Sequence, residues 1–197
     1  MKNLLARFIH VTFQPDAFFE YIREENDWRK PLIHFLVLAI WLSFGSVIAW
    51  GWGVQGDTPL NSALGAQMDI YPYWKDTLLP QYGTWSYPMA MGLIIFEMGV
   101  ITLIYTPIVF LVFCFIGGER RPHGLLRAFQ GFVYGLTPVV FGGFLPGLGL
   151  ATGVYSTLLQ LQRGPSITLK NKSIGAYLLV IAILAYAIAQ YWKHALL

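Results

Sequence analysis

The stretch that decides the fold is PMAMGLIIFEMGVITLIYTPIVFLVFCFI, residues 88–116, in which Glu97 is the one charged side chain. A helix rises ~1.5 Å per residue, so about 20 apolar residues cross a hydrocarbon core ~30 Å thick. Residues 88–116 exceed that length. They predict a tilted membrane span, kinked at Pro107, where the ring lacks an N–H and crowds the preceding turn. Four more apolar runs flank it, at 32–52, 125–144, 145–161 and 174–192. The composition agrees: of 197 residues, 56% are hydrophobic and 12% charged, against about 25% charged in soluble domains. This excludes a disordered chain, a nucleic-acid binder and an ordinary soluble enzyme. It leaves an all-α, polytopic membrane helical bundle.

The third and fourth runs meet at Gly142-Gly143-Phe144-Leu145-Pro146-Gly147, an uncharged turn. If both limbs cross, the chain has five transmembrane helices. A re-entrant hairpin would leave three. Each limb approaches a full span in length, so five is the expectation. The domain division that follows is a cytoplasmic segment, 1–30, and a five-helix membrane domain, 31–197.

Basic residues set the orientation. Lys2, Arg7, Arg23, Arg29 and Lys30 precede the first run. Arg120, Arg121 and Arg127 fall between the second and third, and Arg163, Lys170 and Lys172 between the fourth and fifth. Only Lys75 and Lys193 fall on the opposite side. The positive-inside bias therefore places the N-terminus in the cytoplasm and the C-terminus across an inner (plasma) membrane. Residues 53–87 become an external loop rich in Tyr71, Tyr73, Trp74, Tyr82, Trp85 and Tyr87. Such rings suit the headgroup level, and the loop reads as interfacial, with a lid over a substrate path as the alternative.

In the N-terminal segment Leu4, Leu5, Phe8 and Ile9 recur at helical spacing. Pro15 can open a second helix bearing Phe18, Phe19 and Ile22 on one face. This amphipathic pattern suits a helix lying in the interface or one packed on the ends of the spans. Five acidic residues (Asp16, Glu20, Glu24, Glu25, Asp27) cancel the five basic ones, so the segment is no polybasic lipid anchor.

Depth arithmetic places Glu97 ~13 Å past Pro88, near the bilayer middle, where a carboxylate is costly unless paired or wetted. Hydroxyls expected at comparable depth are Ser43, Ser46, Thr102, Thr137 and Tyr155. Two roles stay open for Glu97. It binds a proton or cation on a path between helices, or it is a neutral acid hydrogen-bonded to a neighbouring helix. The pairs Gly131/Gly135 and Gly149/Gly153 are spaced for close helix packing. The run Gly147–Gly153 superficially matches a nucleotide fingerprint, but no strand precedes it, and it reads as packing.

No HExxH motif occurs, no aspartate lies within a run, and Cys114 is the lone cysteine. No disulfide, metal site, cofactor or enzymatic activity is expected.

As an ordered set, several motifs resemble the Yip domain family of Ypt/Rab-interacting multi-pass membrane proteins, specifically its small prokaryotic inner-membrane branch. They are Phe13-Gln14-Pro15 with Phe18 and Ile22; Gly117-Gly118 followed by Arg127 and Gly131; Tyr134-Gly135-Leu136-Thr137-Pro138; and Tyr155 to Leu161 followed by Gly175-Ala176. The resemblance implies five helices with the N-terminus cytoplasmic. Eukaryotic members bind prenylated Rab-type GTPases and shape membranes. This chain lacks their aspartate-leucine-glycine-proline signature, so a Rab-type GTPase is not an expected partner. The expected function is a non-enzymatic scaffold or interaction protein whose partners are membrane lipids, itself or another membrane protein. The alternative is a small transporter or channel using Glu97.

Overall fold

The computed structural model describes residues 4–54, 70–116, 122–142 and 146–170. The fold is all-α: α1 (Leu4–Phe13), α2 (Pro15–Tyr21), α3 (Arg29–Gly51), α4 (Ile70–Tyr73), α5 (Leu79–Tyr82), α6 (Ser86–Ile116), α7 (Gly124–Gly135) and α8 (Pro146–Thr168). Shorter turns join them, notably Ile22–Glu24 after α2 and Thr137–Phe141 after α7.

Among the described residues two helices are long and apolar enough to cross a membrane: Arg29–Gly51 and the rod Ile70–Phe115, which is interrupted at Gly83, where φ is +54°. The other expected spans differ. Helix α7 has 12 residues, or ~18 Å, too short to cross alone. It stops where Pro138 enters the first turn of Thr137–Phe141, because proline cannot continue the α-helical bonding. Helix α8 has 23 residues but carries Gln160, Gln162 and Arg163, which lower its apolar content. The run at 174–192 lies outside the described residues.

The expected external loop differs as well. From Ile70 onward the chain is helical and runs into α6. The reason is a ring cluster. Trp50 of α3 packs against Tyr71 and Trp74, with centroids 5.4 and 5.5 Å apart, and Trp74 meets Tyr87 at 5.4 Å. The Trp74 indole N–H donates to Ser86 Oγ at 3.1 Å, so its one polar atom is satisfied on burial. Tyr73, Tyr82 and Trp85 remain exposed.

Helix α7 sits between two apolar cores. Its Phe129, Phe132 and Val133 join Leu38, Leu42, Ile94 and Met98 of α3 and α6. Its Tyr134 joins Val11, Phe18, Phe19 and Ile22 from the N-terminal segment, with Leu159 and Ile167 of α8. Every residue from Leu126 to Gly135 is buried. The contact with α8 is backbone to backbone: a Cβ on Gly131 would lie 2.7 Å from the Gly164 Cα. Glycine at that crossing lets two helices approach to a distance no side chain permits. At Gly135 a Cβ would lie 2.5 Å from the Gln160 side chain. The turn toward α8 is made at Gly142, whose φ of +150° disfavours any side chain.

Within α6, Pro107 removes one backbone donor. One residue earlier, the Thr106 hydroxyl donates to the Thr102 carbonyl at 2.7 Å. That bond adds to the Thr102 carbonyl and not to the Leu103 carbonyl, which is the one Pro107 leaves without its usual donor.

Candidate functional site

The densest polar chemistry lies where the N-terminal segment meets α7. Arg7 projects from α1 and Glu25 follows the Ile22–Glu24 turn. Arg7 Nη2 donates to Glu25 Oε1 at 2.8 Å, Nη1 reaches Oε2 at 3.3 Å, and Nη1 also donates to the Tyr134 hydroxyl at 2.7 Å. Lys30 Nζ donates to the same Glu25 Oε1 at 2.5 Å. Both members of the Arg7–Glu25 pair are buried, at 6% and 7% side-chain exposure. Burial alone would push the Glu25 carboxyl up. The hydrogen bonds and charges of Arg7 and Lys30 outweigh it and hold the group below the usual carboxylate range. Burial opposes the Arg7 charge in the same way, and the bond to Glu25 overcomes it and leaves the guanidinium more firmly protonated than usual.

Helix α7 also grips the segment by its backbone. Arg127 Nη1 donates to the Ile22 carbonyl at 2.9 Å and Nη2 to Asn26 Oδ1 at 2.8 Å, and Gln130 Nε2 donates to the Glu25 carbonyl at 2.9 Å. Helix α8 adds the Tyr155 hydroxyl, which donates to the Thr12 carbonyl at 2.8 Å, and an Arg163–Asp16 ion pair.

Beneath Arg7 lies His34, fully buried in the first turns of α3. Its ring stacks on Phe8 with centroids 4.1 Å apart and meets Tyr134 edge-on at 4.8 Å. The Thr137 hydroxyl donates to the Tyr134 carbonyl at 2.7 Å, so it accepts from His34 Nε2 at 2.9 Å. The ring proton therefore sits on Nε2. Nδ1 is buried and has no hydrogen-bond partner among the described residues. The arrangement is a neutral imidazole wedged between aromatic rings.

The residues singled out from sequence divide between two places. Glu97 is buried at 8% exposure and is partnered. Ser43 and Ser46 are buried on α3 beside Leu42 and Val47, which share a core with Ile94 and Met98 on either side of Glu97. Thr102 is buried one turn further along α6. Thr137 and Tyr155 are engaged elsewhere, with His34 and Thr12. Pro15 opens α2 and Pro138 opens Thr137–Phe141. Gly149 and Gly153 lie on α8. Gly117 and Gly118 lie outside the described residues. Arg7, Glu25 and His34 escaped the sequence reading because their partners stand up to 127 positions away. The one available signal was an arginine amid the apolar face of α1.

An apolar cavity of about 400 Å³ opens beside this site. Leu5, Phe8 and Ile9 of α1 form one wall, Val37 and Trp41 of α3 the other, and Val140 with Phe141 the end. The Trp41 indole N–H donates to the Val140 carbonyl at 3.0 Å, so the ring presents only hydrocarbon to the cavity. Among the described residues no three His, Cys, Asp or Glu side chains gather closely enough to hold a metal ion. No known family model, curated protein or solved structure matches the chain.

Proposed function

We propose that this chain is a non-enzymatic, multi-span protein of the cell inner membrane that organises lipids or other membrane proteins. The five-span count, the cytoplasmic N-terminus, self-association and the kinship with Yip domain proteins belong to this proposal. One observation carries it. Only 22% of the apolar window of Ile70–Phe115 is buried within the protein, whereas a soluble core helix hides its apolar surface. Phe96, Leu103, Leu111 and Phe115 face outward along that rod, and water would penalise such exposure by about 25 cal/mol per Å². The absence of a working centre is argued from the polar groups under α1. Most of them bond to one another and to backbone carbonyls, with His34 Nδ1 and Gln130 Oε1 exceptions among the described residues, and this is the pattern of a structural joint.

The test is fractionation with topology mapping. Full-length protein should stay with membranes through alkaline carbonate, and tags after residues 120 and 168 should be inaccessible from the periplasm. Tags reachable there would sink the orientation, and carbonate release would sink the membrane reading.

A second reading rests on the burial of Glu97 beside the α3 face bearing Ser43 and Ser46. There a carboxyl could carry a proton or cation between helices. Proton flux in liposomes that is abolished by Glu97→Gln would support it, and unchanged flux would dismiss it.

A further inference from the structure

We propose that the cavity between α1 and α3 holds one hydrocarbon chain of an anionic phospholipid from the inner leaflet, with its phosphate at Arg29. This deepens the membrane reading above and rests on it. The described lining residues are all apolar, and the Trp41 N–H beside them is bonded to the Val140 carbonyl. The volume, about 400 Å³, lies within the ~300–1,000 Å³ of small-molecule sites.

Depth selects the occupant. Along α3, Val37 stands ~12 Å and Trp41 ~18 Å from Arg29, and one leaflet of hydrocarbon is ~15 Å deep. A chain anchored at the level of Arg29 ends at a depth between Val37 and Trp41. Charge selects the headgroup. Arg29 is exposed at the start of α3. It shares the outward face of that helix with Ile33, Leu36, Val37 and Ile40, all exposed. Arginine pairs with phosphate through charge-assisted, often bidentate hydrogen bonds. On the facing side α1 turns Leu5, Ile9 and Phe13 outward, so the groove continues into an apolar surface at both rims. Helix α1 is therefore sunk beside the span, with its Arg7 turned inward to Glu25 and Tyr134.

Native mass spectrometry of the full chain in detergent, titrated with phosphatidylglycerol or with phosphatidylcholine of the same chains, tests this. Wild type should retain one phosphatidylglycerol in preference to phosphatidylcholine. Val37→Trp fills the groove and should lower retention of both lipids by about tenfold. Leu103→Trp, exposed on α6 and not part of the cavity lining, should leave retention unchanged. Arg29→Gln should bind the two lipids alike. Wild-type retention in Val37→Trp, equal loss in Leu103→Trp, or an unaltered headgroup preference in Arg29→Gln would each overturn the proposal. Helix content by circular dichroism excludes misfolded variants, and Ile9→Trp fills the groove from the other wall should Val37→Trp fail to fold. A chain that resists carbonate yet retains no lipid refutes the site alone, whereas carbonate release refutes the membrane reading beneath it.

Discussion

Helices α6 and α7 both descend from runs that read as membrane spans, yet they are opposites. Helix α6 is long and turns large apolar residues outward, with Leu103 76% and Phe115 88% exposed. Helix α7 is short, buried from Leu126 to Gly135, and bonds through Arg127, Gln130 and Tyr134 to the N-terminal segment. Apolar content measures compatibility with a nonaqueous surrounding. It does not distinguish lipid from protein as that surrounding. The difference lies in the polar residues, which α7 can carry only because protein groups receive them.

The sharpest break of this contrast is Arg7→Ala. It leaves Glu25 buried beside Lys30 alone and exposes Tyr134 to loss of its donor. Removing one partner of a buried pair costs ~3–5 kcal/mol. Lys30 keeps part of the compensation, so the low end is expected, read as a drop in thermal midpoint in detergent. If the midpoint is unmoved, the N-terminal segment is not integral to α7.

Next comes Gly131→Val, which drives a side chain into the Gly164 backbone. Overpacking typically costs ~1–3 kcal/mol. The matching change Gly99→Val on α6, where a Cβ meets nothing within 4 Å, should stay well below that. Thr137→Val keeps the shape but removes the acceptor for His34 Nε2, and an unsatisfied buried donor costs ~1–3 kcal/mol.

Acid should act on the α7 side through Glu25. Glu25 titrates below its unfolded value, so its contribution is complete above the ordinary carboxylate range and disappears as pH falls through the lowered folded value. Thermal midpoints measured from pH 7 downward should fall, and Glu25→Gln should remove that component of the slope. The smallest effect is Leu103→Ala on the outer face of α6, expected within about 0.5 kcal/mol. A loss as large as that of Thr137→Val would mean that this face is covered by protein.

Much of this architecture was legible in the residue order. The limits of α3 and α6 differ by a few positions from the apolar runs that announce them, because a sustained run reports itself locally. Pro15 marks a helix start for the same reason, whereas Pro138 lies inside the run read as one span, 125–144, and instead divides it. The polar joint was not legible. Residues 1–30 carry balanced charge, and a net count of zero conceals which arginine meets which glutamate. Glu97 drew attention as a solitary carboxylate in an apolar run, while His34 looked like a residue at a span entrance. Its bond to Thr137 crosses 103 positions, and nothing local encodes that. The helical rod before α6 was missed because Tyr71, Trp74 and Tyr87 look the same whether they meet headgroups or Trp50.

The bond from Arg7 to Tyr134 spans 127 positions, and it also sets a timetable. Ribosomes add ~5–20 residues per second, so Arg7 exists for roughly 6–25 seconds before its phenol partner is made. During that interval α1 and α2 can meet Glu25 and α3 but lack α7 and α8, so part of their apolar surface must be kept by the bilayer or a chaperone. Helix α1 thus emerges well before α7 yet completes its docking only once Tyr134 has been made.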